Sequence, residues 1–326
     1  MLVNIKCAKA AFKITFFCAL VTIFLYLFHC SQKTIMLLLT TIVIAERASF
    51  NPEYNDIKNS CLSFVVIILS NLLGGVTAFY WPLLNKIITI LYATLTFYIP
   101  KTRKKFTIFM LGSIVFIVTS ASPFNFSTSI MIFVLATIIA FCFQLYNILL
   151  NNKQYLISKT NSDFIDNNSF RALIVFSALV IAFVLGAYIQ HFYKTLYTYW
   201  IMLTIVAVVQ TSKSQTVIIA LKRMLVNVVG AILVVLLFHF LPNLFWLNLI
   251  ILFIILFGIF LFWTSGVGRI FFLEMFVFSV IHIIGSLHTS VAFDRVIFTV
   301  MGGLIVIGLL VLFTVIYEPI KRLTLK

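Results

Sequence analysis

Two stretches of this sequence decide its architecture: Lys9–His29 (KAAFKITFFCALVTIFLYLFH) and Arg171–His191 (RALIVFSALVIAFVLGAYIQH). Each is an apolar run that opens on a cation and closes on a histidine, and the two lie about 164 residues apart. A brief threonine-bearing segment follows each run, Thr41–Val43 in the first half and Thr204–Val206 in the second. Two copies of one bundle in a membrane are typical of secondary transporters, in which the substrate path runs between the copies. The repeat therefore favours a transporter.

Composition places the chain in a membrane. It is 63% hydrophobic and 10% charged, whereas a soluble domain is about half apolar and about a quarter charged. The net charge of +15 comes from short basic clusters between apolar runs, which is typical of topology signals and argues against a nucleic-acid partner. The five cysteines have neither paired nor metal-like spacing, so we expect no metal site. No nucleotide-binding or dinucleotide motif occurs in the sequence, and no cofactor is expected.

The hydropathy pattern predicts an all-α polytopic membrane bundle of about twelve helices in two tandem six-helix repeats. Residues 1–150 form the first repeat, 151–169 a polar cytoplasmic linker and 170–326 the second repeat. The predicted helices are Ala10–Phe28, Thr34–Ala45, Cys61–Tyr80, Leu83–Ile99, Phe106–Ser120, Phe126–Leu150, Ala172–Gln190, Tyr199–Val209, Val217–Leu241, Leu244–Trp263, Ile270–Ser286 and Val291–Tyr317.

Charge asymmetry orients this bundle. Twelve crossings with an internal start place both termini in the cytoplasm. Of the 23 Lys and Arg, only Lys33, Lys86, Lys194 and Arg295 then lie on the outer side. Such an excess of internal cations is what the positive-inside rule requires.

The second helix of each predicted repeat is too short to cross a bilayer. Only 12 residues separate Lys33 from Glu46, about 18 Å against an apolar core of about 30 Å. Short segments at matching positions of two repeats indicate a binding site, because their free backbone ends line a cavity. The alternative is a tilted helix in a locally thinned bilayer. We expect Thr41, Thr204, Trp200 and Gln210 to border a central polar cavity between the two halves.

The segment Tyr199–Gln210 (YWIMLTIVAVVQ), followed by Ala220–Arg223 (ALKR) and Gly230, resembles the fusaric acid resistance and aromatic acid exporter superfamily. Arg223 precedes Gly230 by seven residues, and Arg295 precedes Gly302 by the same interval. Seven residues are about two helical turns, so each arginine shares a face with its glycine. We expect the arginine at the membrane edge and the glycine deeper, where another helix approaches. The resemblance extends from about residue 171 to 326 and implies a compact branch without large soluble domains.

What the resemblance implies is a bacterial inner-membrane exporter of amphipathic organic anions such as aromatic acids, driven by protons and not an enzyme. Its partners would be the lipid bilayer, the anionic substrate and a periplasmic adaptor protein, with the oligomeric state left open. Two alternatives remain, an intramembrane enzyme acting on lipid or polyprenyl substrates and a membrane scaffold without transport. The predicted substrate-binding residues are Thr41, Tyr199, Trp200, Thr204, Gln210, Arg223 and Arg295.

Three titratable residues are candidates for proton coupling: Glu274, His282 and Asp294. Glu274 is the only acidic residue placed inside an apolar span, where a central charge costs ~2.5–3.5 kcal/mol. It is either a proton carrier or a carboxylate that reaches the inner headgroups. His282 lies deeper than the other histidines and could titrate near neutral pH. Asp294 adjoins Arg295 but cannot face it on a helix.

Overall fold

The computed structural model describes residues 5–31, 34–36, 39–40, 42–43, 57–100, 102–121, 134–142, 168–193, 198–210, 212–240, 244–262, 266–284 and 289–324. This part of the chain is all-α. Its bounded helices are α1 (Ile5–Leu27), α2 (Ile57–Tyr80), α3 (Pro82–Tyr98), α4 (Arg103–Ala121), α5 (Asn168–Tyr193), α6 (Tyr199–Val208), α7 (Lys213–Phe240), α8 (Phe245–Leu261), α9 (Gly266–Ile284) and α10 (Thr289–Thr324). Further helical residues occur at 34–36, 39–40, 42–43 and 134–142.

Capping residues, a proline and a change to extended backbone mark the ends of several of these helices. α1 closes with His29 at φ 56°, and the N–H of Cys30 donates to the carbonyl of Leu25 across 3.0 Å, a Schellman cap. A proline at the first position of α3 separates it from α2, because proline begins a helix well but cannot continue one. α6 ends where Val209 turns extended at ψ 125°. The Ser212 hydroxyl then caps α7 by accepting from the N–H of Gln215 at 3.2 Å.

Five helices in the described part are long and apolar enough to cross a membrane: Cys7–Leu27, Cys61–Tyr80, Ser169–Tyr193, Lys213–Phe240 and Val291–Val315. The outer surface of the bundle is strongly apolar, with Leu225 and Phe240 among many exposed large side chains. A surface of this kind is stable in lipid and would aggregate in water. The chain is therefore a multi-pass membrane protein, as its composition predicted.

The two halves pack on one another reciprocally. α1 packs against α8, and α5 packs against α3. α3 and α8 are both 17 residues long, and α4 and α9 are both 19. The starts of both pairs are also equally spaced, since 245 − 82 and 266 − 103 are both 163. Two copies of a bundle related by a twofold axis would give such an arrangement. The twelve-helix count and the tandem repeat remain predictions.

The predicted helices coincide with the observed ones to within five residues at each end wherever the structure describes both, except that α10 extends seven residues beyond its predicted end at Tyr317. The shortness of the helix after Tyr199 is confirmed, since α6 has 10 residues and spans about 15 Å. The predicted linker, 151–169, lies almost wholly outside the described residues, and α5 begins at Asn168 near its end. The boundaries of the two predicted repeats are not tested.

α6 occupies the interior of the bundle. It packs against α4, α5, α7 and α10, and all of its residues except Tyr199 and Met202 are buried. A helix that is apolar all round is stable in a protein core or in lipid, and the contacts and burial of α6 place it in the core. Its first turn, which carries Trp200, is thereby placed deep among the helices of the second half.

Candidate functional site

The acidic side chain of Glu274, in the middle of α9, is fully buried. Its Oε1 lies 3.1 Å from Nη2 of Arg223 on α7, and its Oε2 accepts a hydrogen bond from Arg295 on α10. The amide Nδ2 of Asn227, also on α7, donates to the same Oε2 at 3.0 Å. Three helices thus converge on one carboxylate. We call these four residues the charge centre.

Helical spacing assembles this centre on α7. Arg223 and Asn227 are four residues apart and therefore lie on the same face. Gly230, two turns beyond the arginine, continues that face. A Cβ at Gly230 would lie 3.7 Å from the Cβ of Glu274, which is ordinary van der Waals contact. α7 and α9 therefore approach closely beside the carboxylate.

Aromatic rings enclose the guanidinium of Arg295. Its Cζ lies 4.0 Å from the ring centroid of Trp200 on α6 and 4.6 Å from that of Phe278 on α9. Phe278 follows Glu274 by one helical turn and so presents its ring beside the carboxylate. A guanidinium stacked on an aromatic ring gains about 2 kcal/mol when water is excluded. Arg295 is 2% exposed, so water is largely absent from this contact.

Gly302 allows α10 and α6 to meet at this point. A Cβ at Gly302 would lie 2.8 Å from the carbonyl oxygen of Ile201 and 2.9 Å from Cβ of Thr204. No larger residue fits there without moving one helix. The seven-residue interval from arginine to glycine thus has a physical basis: Arg295 binds Glu274 while Gly302, on the same helix, admits the segment that carries Trp200.

The charge centre carries more positive than negative charge. Two guanidinium groups face one carboxylate, for a formal charge of +1. Nε and Nη1 of Arg295 and Nε of Arg223 are buried without an acceptor anywhere in the described structure. Pairing with Glu274 offsets the cost of burying one cation. In the part of the chain that the structure describes, no second carboxylate pairs with either arginine. A site with these properties is suited to binding an anion.

The described part of the first half contains pairs of neutral hydroxyl groups between its helices. Ser70 on α2 lies 2.6 Å from the hydroxyl of Tyr92 on α3, and Thr96 on α3 lies 2.6 Å from Ser113 on α4. These hydroxyls satisfy one another without a formal charge. Within the described residues, a buried acid surrounded by arginines occurs in the second half and has no match in the first.

The predicted positions of Arg223 and Arg295 at membrane edges on opposite sides were wrong. Opposite edges are about 30 Å apart, yet both arginines contact the same carboxylate. Arg223 lies ten residues into α7, about 15 Å along its axis. The sequence pattern predicted Arg295 to be an external cation, but its side chain is buried in an ion pair with Glu274. The positive-inside rule applies to cations in loops and near helix ends and does not cover buried ion pairs.

The structure brings five of the predicted site residues together: Trp200, Arg223, Glu274 and Arg295, with Tyr199 beside Trp200 at a ring distance of 4.9 Å. Their roles remain predictions.

The other predicted site residues lie elsewhere. Thr204 packs in the interface with Gly302. Gln210 lines a small cleft at the end of α6, and its N–H donates to the Thr216 hydroxyl at 2.9 Å. His282 stacks on Phe238 at 3.9 Å. Asp294 is half-buried, and Thr41 lies outside the described residues.

Sequence reasoning missed Asn227 and Phe278. Both could have been found from spacing, because Asn227 follows Arg223 and Phe278 follows Glu274 by one helical turn. Neither position stands out in composition, since asparagine is neutral and phenylalanine is common throughout the chain. Their significance depends on the packing of α7 against both α9 and α10, which brings Arg295 to Glu274. No group of three or more potential metal-binding side chains occurs among the described residues.

Comparison with known families agrees with the geometry. Residues 177–309 match the family described as fusaric acid resistance protein-like. The second half of this chain is similar to the fusaric acid resistance family. The predicted resemblance is thereby confirmed for a segment that contains Trp200 and the whole charge centre. No curated protein and no solved structure matches the chain. With the apolar helices, the similarity to the fusaric acid resistance family supports a membrane protein with a transporter-like role.

Proposed function

We propose that this protein is a secondary exporter of amphipathic organic anions, such as aromatic acids, and that the charge centre binds them. The observation that carries the proposal is an excess positive charge, buried beside the Trp200 ring, within the segment similar to the fusaric acid resistance family. A membrane scaffold would not need such a centre, because isolated buried charge destabilises a bundle.

An aromatic carboxylate complements this centre in two ways. Its carboxylate accepts hydrogen bonds from a guanidinium fork, and charge-assisted bonds of this kind are roughly twice as strong as neutral ones. Its ring stacks on aromatic surface such as that of Trp200 and Tyr199. Burial strengthens both contacts, because water does not compete. The protein thus recognises charge and ring together, which defines an amphipathic anion.

Glu274 supplies the proposed coupling to protons. It is the acid in direct contact with both arginines, so its protonation state changes the charge presented to the substrate. His282 stands eight residues further along α9, about 12 Å away. It is a candidate for carrying the proton between Glu274 and one membrane face. Asp294 remains a second candidate. These roles belong to a non-enzymatic exporter in a bacterial inner membrane with cytoplasmic termini.

A periplasmic adaptor remains part of the proposal, with a docking helix on the lipid-facing surface. The glycines of α10 narrow its position. A Cβ at Gly302 or Gly303 would meet α6 or Met224 at 2.8 or 2.9 Å, so these two glycines serve packing within the bundle. Gly308 has nothing within 4 Å. The part of α10 around Gly308 is therefore the preferred contact.

Measuring the accumulation of labelled 4-hydroxybenzoate in cells with and without the protein tests this function. We expect lower accumulation with the protein, and loss of that effect in Arg295→Lys. Lysine keeps the charge but lacks the planar fork that binds a carboxylate and stacks on Trp200. Membrane abundance of each variant serves as the control. Equal accumulation in cells with and without the wild-type protein would refute export of this substrate class.

A further inference from the structure

The carboxylate of Glu274 already occupies the position that a substrate anion would take. It receives the guanidinium of Arg223, the guanidinium of Arg295 and the amide of Asn227, from two helices other than its own. These are the donors that a foreign carboxylate would need. The side chain is fully buried and tightly surrounded. A second carboxylate could therefore bind both arginines only if Glu274 moved aside.

The complete burial of Glu274 favours exchange over addition, and exchange leaves the formal charge of the site unchanged. With Glu274 ionised, the two arginines and the glutamate sum to +1. If Glu274 takes up a proton and a monovalent anion replaces it, the sum is again +1. If the anion bound while Glu274 stayed ionised, two carboxylates would share the arginines at close range, and such pairs repel until one is protonated.

Asn227 is suited to both states of Glu274. Its Nδ2 donates to the ionised carboxylate at 3.0 Å, and its Oδ1 is buried without a donor in the described structure. A protonated Glu274 carries an O–H that this Oδ1 can accept after a rotation of the amide. An amide offers one acceptor and two donors, whereas a lysine or arginine at this position could only donate.

The groups facing Glu274 leave few other sites for the proton. α7 contributes Arg223, and α10 contributes Arg295 together with its neighbour Asp294. Guanidinium groups do not release protons in this range, and Asp294 cannot share the helix face of Arg295 that contacts Glu274. α8 contains no titratable residue. Tyr199, at the start of α6, lies near Arg295. On α9 itself, Arg269 and His282 lie five and eight residues from Glu274, about 8 and 12 Å along the axis.

We infer that Glu274 is an internal counter-ion of the substrate site: the substrate carboxylate replaces it on Arg223 and Arg295, and Glu274 takes up one proton as it leaves. In the step, two carboxylate–guanidinium contacts break, two equivalent contacts form with the incoming anion, and one proton moves from water to Glu274. This inference rests on the proposed function and defines its coupling.

The test is benzoate binding to the purified protein in detergent, by isothermal titration calorimetry in buffers of different ionisation enthalpy. We expect the wild-type protein to take up about one proton per benzoate at neutral pH, and its Kd to rise about tenfold per pH unit where Glu274 is ionised in the free protein. Linkage requires this sign, because the bound state holds the extra proton. Glu274→Gln should bind benzoate more tightly, without proton uptake and without pH dependence.

Glu318→Gln is the matched control. It makes the same change on α10, 23 residues beyond Arg295 and about 35 Å along the helix, and it should behave as the wild type does. Proton uptake on benzoate binding to the wild-type protein tests the inference even if Glu274→Gln does not fold. Benzoate binding without proton uptake, or loss of binding in a folded Glu274→Gln, would overturn the inference and leave the export proposal standing. Absence of benzoate binding in every variant would overturn the proposed site itself.

Discussion

Replacing Gly302 by alanine would place a methyl group 2.8 Å from the carbonyl oxygen of Ile201. Ordinary contact begins at 3.4 Å, so α6 or α10 must move by about 0.6 Å (3.4 − 2.8). The obstructing atom belongs to the backbone and cannot rotate away, and the neighbouring Cβ of Thr204 is equally fixed. Overpacking of this kind costs about 1–3 kcal/mol. Because Trp200 adjoins Ile201, the same movement would draw its ring away from Arg295.

The assay is thermal unfolding in detergent together with export of 4-hydroxybenzoate. Gly302→Ala should unfold at a lower temperature than the wild type and export less. Gly308→Ala is the matched control, because nothing lies within 4 Å of its Cβ position. Alanine is favoured over glycine inside a helix by about 0.5–1 kcal/mol, so the control should be neutral or more stable. Equal stability of the two variants would refute the argument that Gly302 sets the spacing of α6 and α10.

Three further predictions concern charge, stacking and topology. Arg223→Gln should abolish export, because it removes half of the positive charge facing Glu274. Lys222→Gln, which changes an exposed neighbour, should retain export. Equal loss of export in both variants would argue for a general charge effect. Trp200→Leu should weaken benzoate binding by roughly 2 kcal/mol or less. Trp246→Leu, which changes an exposed tryptophan, should leave benzoate binding unchanged. Unchanged binding in a folded Trp200→Leu variant would exclude stacking on the Trp200 ring. Reporter fusions should place residues 151–169 and both termini in the cytoplasm, and an external linker would refute the twelve-helix topology.

The helices were predictable because their cause is local. A run of apolar residues in lipid must satisfy its own backbone hydrogen bonds, and an α-helix does so within one segment. The prediction of a helix over Leu83–Ile99 is met by Pro82–Tyr98, since a proline and a change in polarity mark its ends. The shortness of α6 followed from the same reasoning. Which helices pack together does not follow, because almost every face of these helices is apolar and few residues distinguish one neighbour from another.

For the charge centre, the sequence predicted the importance of Glu274 but not which residues pair with it. Burial cost alone singles out Glu274, since an acid in an apolar span needs a partner. The partner is not a local property: Arg223 lies 51 positions away in the chain and Arg295 lies 21. The sequence offered a competing explanation for both arginines, as topology anchors, and that explanation was wrong. A basic residue near a predicted helix end satisfies the positive-inside rule whether it faces headgroups or turns inward to a carboxylate.

A single substitution pair addresses this ambiguity experimentally. If Arg295 were an external anchor, its replacement would affect orientation in the membrane and leave the stability of the bundle nearly unchanged. If Arg295 is instead a buried partner of Glu274, replacing it leaves the carboxylate with fewer hydrogen-bond donors. Breaking a buried ion pair costs about 3–5 kcal/mol of stability. Removing Glu274 as well should recover part of that loss, because no buried carboxylate then remains without its donors. The stability changes of the two substitutions should therefore be non-additive if Arg295 contacts Glu274. They should add if Arg295 is only a topology anchor.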